Sequence, residues 1–159
     1  MIFLTVGTQF PFDRLVKAVD DAFGEGLIYD DIFAQIGQSS YKPANFEYVE
    51  TLDKNSFDGY FKDSAAVISH SGMGTITMAL ENNKPMLAMP RSPKYAEVVN
   101  DHQFAIAREF EKLGHLLVAY DETALSEKIQ GLKSFVPKPR QSQPEKVAAR
   151  IFEYLNGIM

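Results

Sequence analysis

Cysteine is absent from this chain of 159 residues. Its absence excludes disulfide bonds, thiolate chemistry and cysteine-based zinc sites, and it is compatible with a reducing compartment. Long apolar runs are missing as well, since no stretch approaches the roughly 20 residues that a membrane-spanning helix needs. The N-terminal segment has no basic region before its short apolar run, so it lacks the pattern of a signal peptide. We therefore expect a protein of the cytoplasm.

Basic residues are in the minority, with 16 Lys and Arg against 21 Asp and Glu and a formal net charge of −5. A domain of this charge is a poor candidate for nucleic-acid binding, which depends on neutralising phosphates with Lys and Arg. Hydrophobic residues make up 45% of the chain and charged residues 23%, as in an ordinary globular domain. The length is sufficient for one domain with its own core.

Several motifs of nucleotide-binding proteins and hydrolases are also missing. The Walker pattern and the nucleophile elbow are absent. A dinucleotide fingerprint needs three glycines that open the first helix, whereas residues 72–77 contain two glycines and follow the fourth predicted strand. Residues 7–9 lack the acidic side chains of a phosphoacceptor receiver. No His, Asp and Glu set has the spacing of a metal site, so we expect neither a metal nor a cofactor.

Strand and helix patterns alternate along the chain, which favours a Rossmann-like α/β fold with a parallel sheet of about six strands and helices on both faces. Short apolar runs predict strands at residues 2–6, 28–36, 46–49, 65–69, 86–89 and 116–119. Helical periodicity predicts helices within residues 12–23, 57–61 (with Ser56 as the cap), 76–80, 98–113 and 121–132.

The end of the chain has a different pattern. Residues 137–144 are polar and contain three prolines, as expected of a connector. An apolar stripe then predicts a final amphipathic helix, formed by Val147, Ala148, Ile151, Phe152 and Leu155. This stripe either packs on its own sheet or is exposed for a partner or for self-association. The predicted organisation is a sheet domain at 1–136, followed by a connector and helix at 137–159.

Polar and glycine-rich segments follow the predicted strands at the edge where open parallel sheets bind ligands. Gly7 begins one such segment, and residues 70–75 form another that leads into a helix. Glycine lets the backbone approach a ligand closely, and a helix N-terminus offers free N–H groups to an anion, so the pattern predicts a diphosphate site. Strand-to-helix turns also use Gly and Ser for geometry alone. His70 fits a structural histidine equally well, and residues 101–103 fit a polar first helical turn.

Three segments carry a resemblance to a known family. Residues 5–15 (TVGTQFPFDRL) resemble the opening of PssE-type bacterial glycosyltransferase subunits, and residues 67–75 (VISHSGMGT) resemble their second signature. The run from Pro90-Arg91 through Glu97 to residues 101–103 resembles a third. The same pattern occurs in the soluble subunit of the eukaryotic UDP-GlcNAc transferase and in the C-terminal domain of MurG. The chain is thus similar to family 28 glycosyltransferases of the GT-B fold over roughly residues 1–132.

This resemblance implies that residues 1–136 bind a UDP-sugar as the C-terminal half of a GT-B fold. Residues 7–8 and 71–75 would hold the diphosphate, Asp101 and Gln103 would meet the sugar hydroxyls, and backbone near the fourth and fifth strands would hold the uracil. A side chain at Gly72 would occupy the space that lets the backbone reach phosphate. The expected donor-site residues are Gly7, Thr8, Gln9, His70, Ser71, Gly72, Met73, Gly74, Thr75, Arg91, Glu97, Asp101, His102 and Gln103.

The resemblance also implies a partner. A membrane-associated subunit of the PssD type would bind a lipid-linked saccharide acceptor, and the pair would invert the anomeric centre without a metal, in exopolysaccharide or capsule synthesis. Peripheral association with the inner face of the membrane would follow from that partner. Transfer needs a general base for the acceptor hydroxyl. Because His70 and His102 both lie on the donor side, no catalytic residue is assigned here and we expect the base from the partner.

One position departs from the family pattern. The family usually has a Glu for the ribose hydroxyls in the helix after the glycine loop, and the matching residue here is Met78. Glu81 lies about one turn further on the same face and is the alternative ribose contact. The departure keeps a second function open, namely a non-catalytic stabiliser or activator subunit that binds no nucleotide.

Overall fold

The computed structural model describes residues 1–141 and, beyond them, residues 148, 149, 152, 153 and 157. Within that part of the chain, six parallel strands form one sheet in the order β3-β2-β1-β4-β5-β6. The strands are β1 (Ile2–Thr5), β2 (Ile32–Gln35), β3 (Glu47–Val49), β4 (Ala66–His70), β5 (Met86–Met89) and β6 (Leu117–Val118). The helices are α1 (Asp13–Gly24), α2 (Lys54–Asp63), α3 (Met73–Glu81), α4 (His102–Lys112) and α5 (Glu122–Ile129).

The sheet is covered on both faces, which explains why its central strands β1, β4 and β5 are mostly apolar, with polar residues only at the carboxyl ends of β1 and β4. Successive side chains of a strand point to opposite faces, so Ile2 and Leu4 pack into one core with α1 and α5. Phe3 points the other way, into a second core with α2, α3 and α4. There Phe3 contacts an aromatic cluster in which the rings of Phe33 and Tyr60 stack at 4.1 Å. The predicted fold class is confirmed.

Helix α2 begins earlier than its sequence pattern predicts. The cap is Asp53 rather than Ser56, because Asp53 has the extended backbone of a cap and its carboxylate accepts the Ser56 N–H at 3.0 Å. Ser56 lies inside the first turn and donates its hydroxyl to the same carboxylate. The prediction of Ser56 as the cap was wrong because two polar residues three positions apart both suit a helix start.

Helix α4 is shorter than the predicted 98–113. A 3₁₀ turn at Pro93–Tyr95 precedes it, and the helix itself begins at His102, where the Asn100 side chain accepts the His102 N–H at 3.2 Å. Val99 is 86% exposed, so the apolar character of residues 98–99 does not reflect a core position. The second strand is shorter too, because regular pairing starts at Ile32.

The buried carboxylate of Asp20 holds a loop that the sequence analysis did not single out. Asp20 in α1 accepts the backbone N–H groups of Ala44 and Asn45 at 2.9 Å and the Tyr41 hydroxyl at 2.7 Å. Burial alone raises the pKa of Asp20, but these hydrogen bonds outweigh it and the pKa lies below its ordinary value. The hydrogen bond to Asp20 raises the pKa of Tyr41 to about 12.

The first connector residues contact the sheet domain. Lys138 donates its backbone N–H to the Gly114 carbonyl at 2.9 Å, and the Lys138 carbonyl lies 2.7 Å from Nδ1 of His115. Most of the predicted final helix, including Val147, Ile151 and Leu155, lies outside the described residues. None of the helices in the described part of the chain is both long and apolar enough to cross a membrane.

We expect Asp20→Asn to lower the free energy of unfolding at pH 7 by about 1–3 kcal/mol, because an amide cannot accept all three hydrogen bonds. Denaturant unfolding monitored by circular dichroism measures this change. The pKa of Asp20 is depressed in the folded state, so its contribution is complete above the ordinary carboxyl pKa and is lost as pH falls through the folded value. The difference between variant and wild type should therefore shrink in acid.

The matched control is Asp21→Asn, because Asp21 is exposed and its carboxylate forms an i,i+4 pair with Lys17 at 2.6 Å. Such a pair contributes little, so this variant should stay within about 0.5 kcal/mol of the wild type. Equal destabilisation by the two substitutions would contradict the role assigned to Asp20.

Candidate functional site

A cavity of about 340 Å³ opens where β1, β4 and β5 end. It lies at the point where successive strands switch from one side of β1 to the other, which is where open α/β sheets bind ligands. Its volume falls within the range of small-molecule sites. The cavity is lined by Gly7, Thr8, Gln9, Phe10, His70, Gly72, Gly74, Thr75, Arg91, Val98 and Gln103.

Two larger surface grooves, of about 570 and 580 Å³, lie away from this edge. One is lined by charged side chains of α1 and α5, and the other lies beside the connector at Lys138. The first turn of α5 lines one of them, but the Asp121 carboxylate already caps that helix. Neither groove gathers the loops that follow β1, β4 and β5. We therefore assign the candidate site to the smaller cavity at the strand ends.

The imidazole of His70 occupies a slot between two glycines. A Cβ atom on Gly72 would lie 2.1 Å from His70 Cε1, and one on Gly7 would lie 2.8 Å from His70 Nε2. Gly7 also has a left-handed backbone, with φ of +74°, which favours glycine independently of space. At Gly72 the backbone angles, φ −81° and ψ 135°, suit any residue. The three atoms nearest to a Cβ on Gly72 all belong to the imidazole, so His70 is the group that excludes a side chain there.

This geometry changes the reason for glycine at position 72. The sequence analysis attributed it to close approach of the backbone to phosphate, whereas its first steric consequence is the room it leaves for His70. A Cβ atom on Gly74, in contrast, would meet nothing within 4 Å. The two glycines of the loop thus have different roles in the folded chain.

His70 is neutral at physiological pH. Burial is the main cause that lowers its pKa, and the nearby Arg91 charge adds to it, while the contact with Gln103 acts in the opposite direction. The result is a pKa of about 4. His70 therefore presents an uncharged imidazole to the cavity, with one ring nitrogen as a donor and the other as an acceptor.

Arg91 ties the loop after β1 to the loop after β5. Its side chain is only 2% exposed, and its Nη2 donates to the carbonyls of Val6 at 2.7 Å and Phe10 at 2.6 Å. Burial lowers the pKa of Arg91 to about 10, so the guanidinium stays charged at neutral pH. Its Nε has no partner within the described residues. The arrangement leaves a buried positive charge at the wall of the cavity.

Glu97 forms a buried ion pair instead of lining the cavity. Its carboxylate accepts Nε of Arg14 at 2.8 Å and Nη2 at 2.9 Å, and it also accepts the backbone N–H of Ser92 at 2.9 Å. Burial is the largest single cause and lowers the pKa of Arg14, but the hydrogen bond to Glu97 and the negative charges of Glu97 and Glu122 together outweigh it, so the pKa lies above its ordinary value. The Arg14 guanidinium also stacks over Tyr95 at 4.6 Å. Glu97 thus holds the loop after β5 against α1.

The N-terminus of α3 faces the cavity through Gly72, Gly74 and Thr75. Within the described part of the chain, no side chain caps this helix. Its first backbone N–H groups therefore have no side-chain acceptor. Uncapped N–H groups and the helix dipole together favour an anion at this position. The predicted anion-binding loop is therefore at the cavity, as its sequence position requires.

A polar floor beneath the cavity was missed by sequence reasoning. Thr5 donates its hydroxyl to Gln35 Oε1 at 2.8 Å, and Ser69 donates its hydroxyl to the Thr5 carbonyl at 2.5 Å. All three residues are buried at strand ends. In the sequence, the only feature that could have indicated these hydrogen bonds is the polar residue near the end of each apolar run. These hydrogen bonds join the ends of β1, β2 and β4 and so fix the positions of the loops that follow these strands relative to one another.

Several expected donor-site residues do not line the cavity. Ser71 is fully buried beside it, and its Oγ has no partner within the described residues. Met73 begins α3 with its side chain 40% exposed, while Asp101 and His102 are exposed at the start of α4. Asp101 makes no side-chain capping hydrogen bond. These side chains, like that of Glu97, have no direct access to the cavity in this conformation.

The two residues considered for ribose binding also lie off the cavity wall. Met78 packs partly buried against the second core, and Glu81 is exposed at the end of α3. Within the described residues, no group of three or more histidine or acidic side chains is placed to hold a metal ion.

Residues 1–154 match the family model of the glycosyltransferase family 28 C-terminal domain. The chain belongs to this family. Mouse UDP-N-acetylglucosamine transferase subunit ALG13 is 34% identical over 123 residues, which are 72% of this chain and 10% of that protein. The ALG13 subunit of Cryptococcus neoformans is 34% identical over 107 residues, 66% of this chain and 51% of that protein. The chain thus spans from about a tenth to about half of the length of these relatives.

Solved structures show the same fold as this family 28 domain. The solution structure of ALG13 superposes with a TM-score of 0.64 at 21% identity and covers 91% of each chain. MurG of Acinetobacter baumannii superposes with a TM-score of 0.54 at 17% identity, over 85% of this chain and 45% of that enzyme. The predicted resemblance to family 28 and to the C-terminal half of a GT-B fold is confirmed.

We expect Gly72→Ala to act through His70. Because a Cβ atom at this position overlaps the imidazole, the substitution should lower the free energy of unfolding by about 1–3 kcal/mol in the wild-type background. In a His70→Ala background the same substitution should cost close to nothing. A double-mutant cycle on unfolding free energies measures this coupling.

The control for this cycle is Gly74→Ala in the same helical turn, whose added Cβ is free of contacts. It should show no coupling to His70. If Gly72→Ala costs the same with and without the imidazole, the steric assignment is wrong.

Proposed function

We propose that this chain is the UDP-sugar-binding subunit of an inverting glycosyltransferase. The observation that carries the proposal is the cavity at the strand switch point, where the α3 N-terminus, a neutral histidine and a buried guanidinium meet. Each of these groups favours a phosphate oxygen without adding negative charge. Family membership supports a sugar nucleotide over other phosphorylated ligands.

The charges around the cavity support an anionic ligand. Arg14 of α1 and Arg91 after β5 are both cationic, and the buried carboxylate of Glu97, also after β5, pairs with Arg14. Arg14 is paired with Glu97 in a bidentate contact and with the more exposed Glu122 at 3.5 Å, so Arg91 supplies the positive charge at the cavity wall. A nucleoside diphosphate would compensate the remaining charge of Arg91.

The same geometry argues against a dinucleotide cofactor. Such cofactors place their pyrophosphate at the N-terminus of the first helix. Here α1 begins at Asp13, whose carboxylate accepts the Tyr41 N–H at 2.8 Å and would repel a phosphate. The uncapped glycine turn lies at α3 instead. This difference favours a sugar nucleotide that spans the switch point.

In this proposal the chain supplies leaving-group stabilisation. Departure of UDP from the sugar concentrates negative charge on the diphosphate, and preorganised N–H donors lower the barrier by stabilising that charge. The helix N-terminus at Gly72 and the imidazole of His70 are positioned to do this without a metal ion. Proton removal from the acceptor hydroxyl needs a base. Burial makes His70 a weak base, with a pKa of about 4, and His70 lies on the donor side, so we assign the base to the partner subunit.

The partner is proposed on the names of the relatives. ALG13 is described as a transferase subunit, and we extend this to a PssD-like, membrane-associated subunit that binds a lipid-linked saccharide. The reaction would then add a sugar to this acceptor during polysaccharide synthesis at the inner face of the membrane. The competing function, a stabiliser subunit that binds no nucleotide, is favoured by one observation: neither Met78 nor Glu81 lines the cavity.

We expect UDP and UDP-sugars to stabilise the protein and NAD to have no effect. A ligand that binds only the folded state adds about 2.7 kcal/mol to the free energy of unfolding when its concentration is a hundred times its Kd. Thermal unfolding and calorimetry both detect this change.

Thr75→Val should reduce the affinity for UDP about fivefold, because it removes one hydroxyl from the cavity wall. The control is Gln38→Ala, an exposed residue outside the cavity. Absence of UDP binding at millimolar concentration would favour the stabiliser function.

We expect the purified chain alone to transfer no sugar and to gain activity with membranes that contain a PssD-like subunit. Radiolabelled sugar transfer to a lipid-linked acceptor measures the activity, with chain alone and membranes alone as the two controls. Efficient transfer by the chain without a partner would overturn the two-subunit proposal.

A further inference from the structure

The side-chain amide of Gln103 lies between a backbone donor and the His70 ring. The Arg91 N–H donates to Gln103 Oε1 at 3.1 Å, and Gln103 Nε2 lies 3.5 Å from His70 Nδ1. An amide turned the other way would place its NH₂ group against the Arg91 N–H, with two donors facing each other. The Arg91 backbone therefore fixes the orientation of this amide.

The orientation of the amide determines which nitrogen of His70 carries the proton. Because Gln103 presents NH₂ to Nδ1, Nδ1 must accept, and a neutral imidazole then carries its single proton on Nε2. Nε2 is the ring atom nearest to a Cβ placed on Gly7, and Gly7 and His70 both line the cavity. The slot between Gly7 and Gly72 prevents the ring from leaving this position.

We propose that Gln103 is a positioning residue that holds neutral His70 in the Nε2–H tautomer, so that Nε2–H donates to a phosphate oxygen of the sugar nucleotide. This inference rests on the proposed function for the identity of the ligand. It gives Gln103 a different role from the one expected from the sequence, in which its amide meets the sugar hydroxyls. In the tautomer role, Gln103 acts on the diphosphate that UDP and UDP-sugars share.

The two roles of Gln103 predict different affinities. A residue that contacts sugar hydroxyls affects the UDP-sugar and leaves UDP alone unchanged. A residue that sets the His70 tautomer affects both ligands by the same factor. We expect Gln103→Leu to weaken UDP and UDP-sugar binding equally, about fivefold to tenfold each, and to add no further loss in a His70→Ala background. Selective loss of UDP-sugar binding would overturn the proposal.

The direct test is the tautomer of His70, read from ¹⁵N chemical shifts of the ring nitrogens in protein labelled at histidine, without any nucleotide. The wild type should show a protonated Nε2 and an unprotonated Nδ1. Gln103→Leu should give a mixture of tautomers. Gln103→Glu should reverse the tautomer, since a carboxylate accepts a hydrogen bond from Nδ1–H while its other oxygen still accepts the Arg91 N–H. This reversal is a result that a purely structural role would not produce.

His115 is an internal control in the same spectra. Its Nδ1 lies 2.7 Å from the Lys138 carbonyl, so Nδ1 must donate there, and His115 should stay protonated on Nδ1 in the wild type and in every Gln103 variant. A wild-type His70 protonated on Nδ1, or an unchanged tautomer in Gln103→Leu and Gln103→Glu, would overturn the inference. Absence of UDP binding to the wild type would instead refute the proposed function, and the tautomer measurement would still decide the role of Gln103 toward His70.

Discussion

Parallel pairing between β1 and β4 is the constraint on which the candidate site depends. The pairing places Thr5 opposite Ser69, and the Ser69 hydroxyl locks this register through the Thr5 carbonyl, across 64 residues of sequence. Gly7 and His70 follow within two residues on either strand, so their approach is a direct consequence of the register. A slip by one residue would exchange the two faces of the strand and separate the glycine from the imidazole.

Buried charge then determines the arrangement of the loops above the sheet. Arg91 binds carbonyls of the segment after β1, and Glu97 binds Arg14 of α1 from the segment after β5. Buried ion pairs contribute little net stability, but the loss of one partner leaves an uncompensated charge and is costly. These contacts therefore act mainly as geometric constraints: they leave a single arrangement in which the cavity wall is complete.

The histidine between two glycines combines packing and chemistry. Its burial keeps the ring uncharged, and the slot keeps it immobile, so any hydrogen bond from it to a ligand requires little reorganisation. The glycine turn at α3 adds uncapped N–H groups next to the ring. The fixed dipoles of the imidazole and of the α3 N–H groups stabilise negative charge on a leaving group. This agrees with the proposed transfer, in which UDP leaves without the help of a metal ion.

The amino-acid sequence by itself determined the fold class, the strand order along the chain and the loops that form the candidate site. It did so because strand and helix periodicities are local, and because parallel strands bring the segments that follow them to one edge. It also contained the family 28 signatures at residues 5–15 and 67–75. Helix boundaries were less accurate, since several polar residues near each start compete to cap it, as at Asp53 and Asn100.

Only the tertiary structure decided which polar residues face the cavity and which form hydrogen bonds or ion pairs with other parts of the protein. Glu97 looks like a ligand-binding residue in the sequence, yet its carboxylate is occupied by Arg14. Arg91 also bonds to backbone carbonyls, but it still lines the cavity. The role of Gly72 was also beyond sequence reasoning, because the atom that excludes its side chain belongs to the ring of His70. Such assignments depend on distances between side chains in three dimensions, and a linear pattern of residue types does not contain those distances.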